Sequence, residues 1–272
     1  MSLTDRQFFL MAVIAYGISM IFSVFVWRKN FQADNRLNYA LLMVGLALHT
    51  VALAKRGFSL ERCPVNNLFE ATAFFLWTFV LVYAVLGVFS RLRFLGAFAA
   101  PIVFSVGVFT LMPALDPPHG PKPEFTGGWV SLHATLILLS YGAFGLGAAA
   151  AAMYLTQEHD LKLHKIKAIL SKLPSIERIE KMVQRLTLTG FTLLTIGLAI
   201  IPIKVGQPKG VSFAGDLKVV WSLVVWMAYS VLVLFHFRFH FVGKRFAWSV
   251  VAGFVFVLLT FWGTNLMSPV HN

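Results

Sequence analysis

The stretch GGWVSLHATLILLSYGAFGLGAAAAAMYL, residues 127–155, is a long apolar run whose only titratable group besides two tyrosines is His133. A membrane-spanning helix needs about 20 consecutive apolar residues, so this run is long enough to cross a bilayer. Its small residues Gly142, Gly145 and Gly147, followed by the five alanines 148–152, favour close packing against neighbouring helices. The imidazole of His133, at one edge of the run, must either find a partner or face water.

The composition of the whole chain predicts the same environment. The 272 residues are 58% hydrophobic and 12% charged, with a mean hydropathy of +0.77, whereas about a quarter of the residues of a soluble domain are charged. We therefore predict an all-α integral membrane protein, a single transmembrane domain (1–272) of about eight spanning helices. The eight apolar segments are 8–27, 37–54, 68–89, 94–113, 129–156, 187–203, 218–237 and 247–267.

Basic residues in the connections predict the orientation of this bundle. Of the 23 Lys and Arg, 15 fall in the connections after the odd-numbered spans, 7 in the N-terminal segment and the other connections, and one, Lys218, at the edge of span seven. Because cytoplasmic connections carry the excess of basic residues, we expect both termini on the non-cytoplasmic side of a bacterial inner (plasma) membrane. The basic, partly amphipathic segment 157–186 then forms a cytoplasmic hairpin on the inner leaflet, in which Pro174 ends one helix and Ser175 caps a second short one.

Other classes of protein are excluded by simple features. The single Cys63 allows no intramolecular disulfide and no C-x-x-C pair. The first apolar run is long enough to span the membrane and lacks a small-residue cleavage site, so we interpret it as a helix and not as a signal peptide. The net charge of +12 suits loops beside anionic lipid, and no basic–aromatic stripe indicates a nucleic-acid partner.

Two histidines fall at outer edges of predicted spans. His133 begins span five and His271 follows span eight. Two neutral imidazoles can hold one haem iron from opposite faces, and aromatic side chains such as Phe213 and Trp221 could pack on the macrocycle. The alternative is that each is a hydrogen-bonded interfacial residue.

Two further histidines are candidates inside the membrane. His49 lies within span two, where ionisable groups are uncommon and usually mark a site, although a bond to a helix carbonyl is an alternative. His236 lies at the inner end of span seven among aromatic residues, where a side chain reaching towards the interface is an alternative.

Four stretches resemble the integral membrane cytochrome c assembly family, which includes the CcsA, CcmC, HemX and YpjD proteins. PVNNLFEATAFFLW (64–77) is similar to the family's P-x-x-N-L-[YF]-E entry to a span, and LHATLILLSYGAFGLGA (132–148) to its outer histidine followed by L-S-Y-A. DLKVVWSLVVWMAY (216–229) and GKRFAWSVVAGFVFVLLTFWGTNLM (243–267) resemble its D-P-K-E-x-W and G-R-R-A-x-W stretches. His271 falls within about one residue of the family's second outer histidine.

This resemblance implies a haem-handling membrane protein of c-type cytochrome biogenesis. It implies haem b bound non-covalently at the outer face, with His133 and His271 as axial ligands of the iron. It also implies haem transport, delivery to apocytochrome c, and a CcsB-like partner with which the chain forms a haem lyase or synthase complex without being an enzyme alone. By position, Phe213, Asp216 and Trp221 form or hold the haem loop, and His49 corresponds to an intramembrane histidine.

The sequence departs from the family at two places. The loop W-G-x-x-W-x-W-D is here KGVSFAGD (209–216), within the predicted outer segment 204–217, so that only Phe213 stands for one of its tryptophans. The second intramembrane histidine position is Leu234, two residues before His236. The departures favour an alternative, a HemX- or YpjD-like membrane regulator or accessory protein without haem transfer.

The polar and acidic residues near the spans leave two further alternatives. Glu70 and Asn67, at the mouth of span three, either orient the outer loop or serve helix packing. A small-molecule or ion transporter is a further alternative, but it requires acidic groups within the spans, and besides Asp216 and the chain ends only Glu70 lies near one.

Overall fold

The fold is a bundle of eight α-helices, seen in a computed structural model that describes residues 3–28, 36–88, 90–117, 127–162, 174–205 and 217–267. Within these ranges no β-strand occurs. The helices are α1 (Asp5–Arg28), α2 (Arg36–Leu60), α3 (Leu68–Gly87), α4 (Gly96–Thr110), α5 (Gly128–Lys162), α6 (Ile176–Ile200), α7 (Leu217–Phe239) and α8 (Gly243–Met267). Short 3₁₀ turns at Ser90–Leu95 and Pro113–Leu115 flank α4, and a π turn at Ile201–Val205 follows α6.

Each of the eight helices is long and apolar enough to cross a membrane, which confirms the eight predicted segments. The helix after Ser175 differs from the prediction in its cap and in its length. The helix expected to begin after Ser175 does begin there, but the Ser175 side chain makes no capping hydrogen bond. It is also not a short helix, because α6 continues without a break into span six. Residues 163–173, the middle of the predicted hairpin, lie outside the described residues.

Helix α5 lies at the centre of the bundle and packs against α3, α6 and α8. All residues from Tyr141 to Ala151 are buried. A Cβ atom on Gly142 would lie 2.8 Å from the backbone carbon of Thr78, and one on Gly145 would lie 2.7 Å from the ring of Phe79. The absence of side chains at these two positions therefore allows α3 and α5 to approach closely, which supports the interpretation of the small residues as helix contacts.

The first four helices form one half of the bundle, held by a buried stripe along α2. The stripe repeats every three or four residues, as one face of a helix must. Its members are Asn38, Leu42, Gly45, His49, Ala52 and Arg56. Near one end, the Asn38 side chain exchanges hydrogen bonds with the hydroxyls of Ser19 and Ser23 on α1. At the other end, the last member of the stripe is Arg56.

Arg56 is the centre of an ion-pair cluster that we call the ionic clamp, formed by Arg56, Asp5, Arg62, Glu70 and Asp116. The Arg56 guanidinium donates to Asp5 Oδ2 at 2.9 Å and to Glu70 Oε1 at 3.1 Å, and it also pairs with Asp116. Arg62 Nη1 lies 3.0 Å from the second Glu70 oxygen. Glu70 has no exposed surface and Arg56 is 5% exposed. Such a desolvated cluster is stable only because every charge in it meets an opposite charge.

The ionic clamp joins four chain segments at one end of the bundle. Asp5 begins α1, Arg56 lies in the last turns of α2, Glu70 lies in the first turn of α3, and Asp116 follows α4. The four helices are therefore alternately antiparallel. Asn67 caps α3 by accepting the Glu70 N–H at 2.7 Å and donates its amide to Asp116. These contacts favour the packing role left open for Glu70 and Asn67.

Replacing Gly142 tests the close contact between α3 and α5. We expect Gly142→Ala to lower the free energy of unfolding by about 1–3 kcal/mol, because the new methyl group meets backbone atoms that cannot move aside. The measurement is thermal unfolding of the purified protein in detergent. The matched control is Gly147→Ala on the same helix, where the nearest atom to the new Cβ would be 3.5 Å away. Equal melting temperatures for the two variants would contradict the assigned packing.

Neutralising Glu70 tests the ionic clamp. Glu70→Gln leaves the buried Arg56 and the partly buried Arg62 short of one negative charge, and breaking a buried pair in this way costs about 3–5 kcal/mol. We expect a much lower melting temperature in detergent, whereas Glu177→Gln, at an exposed position in the first turn of α6, should change the free energy of unfolding by about 1 kcal/mol or less. A Glu70→Gln protein as stable as the control would show that the clamp does not hold the helices together.

Candidate functional site

His133 lies in the second turn of α5 and is turned towards α6. Its Nδ1 atom is 2.7 Å from the carbonyl oxygen of Gly197. Because a carbonyl only accepts, Nδ1 must carry the proton in this bond, and in the neutral ring Nε2 then bears the free lone pair. A metal-binding histidine usually has this arrangement, in which a backbone carbonyl fixes the tautomer and the ring orientation. The side chain is half-buried, so Nε2 is not enclosed by the core.

The local sequence of α6 explains why this carbonyl can be reached. Gly197 has no side chain, and a Cβ there would lie 3.1–3.4 Å from atoms of Leu136 and Ile137 on α5. The two helices therefore approach closely at the level of His133. Pro202 follows one turn later, within the π turn that ends α6, and proline cannot donate a backbone hydrogen bond. The helix thus ends just beyond the carbonyl that holds His133.

The register between α5 and α8 shows how far α8 extends on this side. The rings of Tyr141 and Phe261 meet at 5.8 Å, and a Cβ on Gly145 would lie 2.9 Å from Phe254, so the helices are antiparallel. At 1.5 Å per residue, Met267 lies about 9 Å beyond Phe261 and His133 about 12 Å beyond Tyr141. The described part of α8 therefore ends close to the level of His133. His271, Phe213 and Asp216 lie outside the described residues.

Aromatic side chains fill the bundle below this level. Trp221, at the start of α7, packs edge-on against Phe256 of α8 at 5.9 Å. Trp262 packs against Phe109 of α4 at 4.5 Å, and Trp226 donates its indole N–H to Thr195 on α6. Of the predicted loop residues, Trp221 is the one that the structure describes, and it lies at an α7–α8 contact.

His49 is completely buried in the half formed by α1–α4. Its Nδ1 lies 3.3 Å from the Tyr16 hydroxyl, and the ring of Phe9 meets it edge-on at 4.9 Å. Nε2 has no hydrogen bond of normal geometry among the described residues, although the backbone of Ala73 on α3 lies beside the ring. The ring is thus enclosed by three helices.

His236 lies at the opposite end of the bundle from His133. Its Nδ1 donates to the carbonyl of Phe241 at 3.1 Å, across the turn between α7 and α8, and its ring packs on Phe246. Helix α7 packs mainly on α6 and α8, whereas α2 packs on α1, α3 and α4, so the structure does not bring His236 and His49 together. Leu234 is 57% exposed on another side of α7.

Cys63 lies between α2 and α3 and links the ionic clamp to α5. Its thiol lies beside the Thr135 hydroxyl, two residues after His133. Burial raises the pKa of the Cys63 thiol, and the negative charge of Glu70 adds to this effect. The Thr135 hydroxyl and the Arg62 guanidinium oppose it. This contact places His133 and the clamp at the same end of the bundle, which we call the clamp end.

Neither the Gly197 carbonyl nor the partners of Arg56 could be identified from the sequence. The Gly197 carbonyl is a backbone group, and the only sequence feature that indicates it is a glycine shortly before a proline in span six. The partners of Arg56 come from three segments distant in the chain, and they become visible only once α1–α4 are assembled.

The thiol of Cys63, the single cysteine of the chain, allows its surroundings to be probed. Because its pKa is raised, the reactive thiolate is scarcer at pH 8 than for an ordinary cysteine. We expect slow alkylation by iodoacetamide at that pH and a rate that keeps rising above the pH at which a free thiol reaches its plateau. The pH profile of alkylation measures this. The same protein unfolded in detergent is the control, and identical profiles in the two states would contradict the buried position.

Comparison with known proteins agrees with this architecture. The profile of the family described as "Cytochrome C assembly protein" matches residues 65–271. The chain is 28% identical to Protein HemX of Brevibacillus brevis, over 95% of each chain. It is 24% identical to Cytochrome c biogenesis protein CcsA of Guillardia theta, over 95% of this chain and 90% of the relative, and 25% identical to Protein HemX of Bacillus subtilis. The chain is a multi-pass membrane protein that belongs to the cytochrome c assembly family.

Proposed function

We propose that this protein binds haem b non-covalently at the outer face of a bacterial inner membrane and delivers it to apocytochrome c. Membership of the cytochrome c assembly family supports a role in cytochrome c biogenesis and, with it, the handling of haem. In this proposal His133 and His271 are the axial ligands of the iron, and both chain termini lie on the outer side.

The observation that carries the proposal is the bond from His133 Nδ1 to the Gly197 carbonyl. It leaves Nε2 as a base at the edge of the bundle, and imidazole nitrogen is a usual axial ligand of haem iron. An imidazole with its other nitrogen hydrogen-bonded is also a more basic ligand. The fit of the residues to haem is therefore good at this position. No cluster of three or more metal-ligating side chains occurs in the described ranges, and haem needs no such cluster.

The surroundings of His133 have the chemistry that a flat apolar cofactor needs. The aromatic side chains of α4, α5, α7 and α8 lie just below it, and apolar burial of the macrocycle would supply most of the affinity. We assign Phe213, Asp216 and Trp221 to the segment that covers the cofactor. When bound, haem supplies the vinyl groups and the reducible iron that thioether formation requires. The role of this chain is to orient the ligand nitrogen and to exclude water.

The orientation in the membrane follows from the charges at the two ends. The predicted cytoplasmic connections are rich in Lys and Arg, and they join the helices at the end of the bundle opposite His133. At the clamp end, the arginines of the clamp are paired with carboxylates. The haem site therefore belongs to the outer side. A CcsB-like protein is the proposed partner in the assembly complex.

We would test the proposal by purifying the protein in mild detergent after haem-replete expression and measuring a pyridine haemochrome spectrum. We expect near-stoichiometric b-type haem in the wild type and at least a several-fold loss in His133→Ala and in His271→Ala. The matched control is His159→Ala, an exposed histidine at the other end of the same helix. Added imidazole should restore haem to His133→Ala, because it can occupy the vacated coordination position.

Two results would contradict the proposal. One is a colourless wild type, and the other is a loss of haem that is equal in His133→Ala and His159→Ala. Melting temperatures measured beside the spectra separate loss of the ligand from loss of the fold.

A second function is supported by the HemX relatives, which match the chain over almost its whole length. In this alternative the chain is a membrane regulator or accessory protein without haem transfer. The thinned loop KGVSFAGD, with a single aromatic residue, favours it. Two results together would establish this alternative. The purified wild-type protein would be folded but colourless, and deletion of its gene would leave cytochrome c maturation unchanged.

A further inference from the structure

Six exposed basic side chains lie on the segments of α6, α7 and α8 that meet at the end of the bundle opposite the clamp. We call this set the basic corner, and its members are Arg178, Lys181, Arg185, Arg238, Lys244 and Arg245. The corner is assembled by a hydrogen bond from the backbone N–H of Gly243, the first residue of α8, to Glu180 Oε1 at 2.8 Å. His236 and Phe246 then pack the end of α7 against the start of α8.

The six cations of the basic corner outnumber the carboxylates beside them in the described part of the chain, and none of the six forms an ion pair there. The ion pairs between described residues lie at the clamp end, and none involves a member of the corner. Among the side chains that the structure describes, three carboxylates lie in the neighbouring turns, Glu158, Glu177 and Glu180, and the last of these also accepts the Gly243 N–H. In addition, Lys244 and Arg245 lie in the first turn of α8, where the positive end of the helix dipole disfavours cations unless an anion is present.

Helix α7 leads from this corner along the surface of the bundle. Its packed fraction is the smallest among the eight spans. The exposed residues Val220, Leu223, Met227, Val231 and Leu234 follow each other at intervals of three or four residues, and the next position in this series is Arg238. They therefore form one apolar stripe that ends at a cation. The stripe from Met227 to Arg238 is about 16 Å long, close to half of the roughly 30 Å hydrocarbon thickness of a bilayer.

We propose that the basic corner and the adjoining stripe on α7 form a binding site for an anionic phospholipid. The phosphate lies at Arg238, near Lys244 and Arg245, and one acyl chain lies along Leu234, Val231 and Met227. Arginine and lysine are the side chains that bind phosphate, and exposed aromatic residues beside them, Phe237, Phe239 and Trp248, suit the depth of the headgroups. This site is independent of the haem site, which lies at the other end of the molecule.

The positive charge of the basic corner favours a lipid over a protein as the occupant of this surface. A helix of a second protein would also fit the apolar stripe, but it would have to bring several carboxylates to the level of the headgroups to match the cations. Anionic lipid provides that charge wherever the bilayer surrounds the protein. The lipid is therefore the occupant that the arrangement favours.

The test is native mass spectrometry of the full chain in neutral detergent, titrated with phosphatidylglycerol or with phosphatidylcholine. We expect a phosphatidylglycerol adduct that forms at a lower lipid concentration than any phosphatidylcholine adduct. Arg238→Gln should weaken it about fivefold, the factor that corresponds to about 1 kcal/mol per basic residue. The triple variant Arg238→Gln, Lys244→Gln, Arg245→Gln should weaken it about 100-fold, and Arg238→Lys should retain most of the binding.

The matched control is Lys55→Gln, which also removes one positive charge but lies near the clamp end, where Lys55 contacts the ring of Phe8. It should leave the affinity for phosphatidylglycerol unchanged. The proposal is overturned by equal binding of the two lipids, by equal effects of Arg238→Gln and Lys55→Gln, or by a protein partner that co-purifies with the wild type and is lost in the triple variant. Haem content is unaffected in every variant if the two sites are independent.

Discussion

The placement of Arg56 is the constraint on which the first half of the structure depends. A guanidinium this deeply buried must be paired with carboxylates, because its desolvation otherwise costs more than the fold can supply. Asp5, Glu70 and Asp116 provide those carboxylates, and each comes from a different helix end. The pairing fixes both the antiparallel order of α1–α4 and their relative heights. Arg62 and Asn67 then connect the same cluster to the segment that carries Cys63.

The second half of the bundle is built on α5 by a different principle. Here close packing of small residues replaces ionic contacts, and the glycines of α5 and α6 allow backbones to approach where side chains would keep them apart. The hydrogen bond that orients His133 depends on this closeness, since it reaches a backbone carbonyl on the neighbouring helix. The candidate haem ligand therefore lies where the packing of α5 on α6 meets the Cys63–Thr135 contact to the clamp.

Much of the fold could be predicted from the sequence, because hydropathy and length alone identify eight spans. The candidate site could be predicted only in part. The position of His133 at the edge of a span could be predicted from the hydropathy pattern. Its tautomer could not, because it depends on the Gly197 carbonyl of another helix. The role of Glu70 was left open because no local pattern pairs it with Arg56, which lies 14 residues away. The unbroken course of α6 was missed because Pro174 and Ser175 resemble the start of a short surface helix.

The ionic clamp also has a consequence for how the protein is made. Helices enter the membrane in chain order, and the charges of the clamp enter with them. After α1 and α2, the clamp residues Arg56 and Arg62 and the neighbouring Arg6, which pairs with Asp116, are opposed within this group of charges by Asp5 alone, so their formal charges sum to about +2. Glu70 reduces this excess as α3 begins, and Asp116 removes it only after α4 has crossed the membrane. The first four helices therefore reach electroneutrality together, and the insertion of α4 is the step that commits them to a single arrangement.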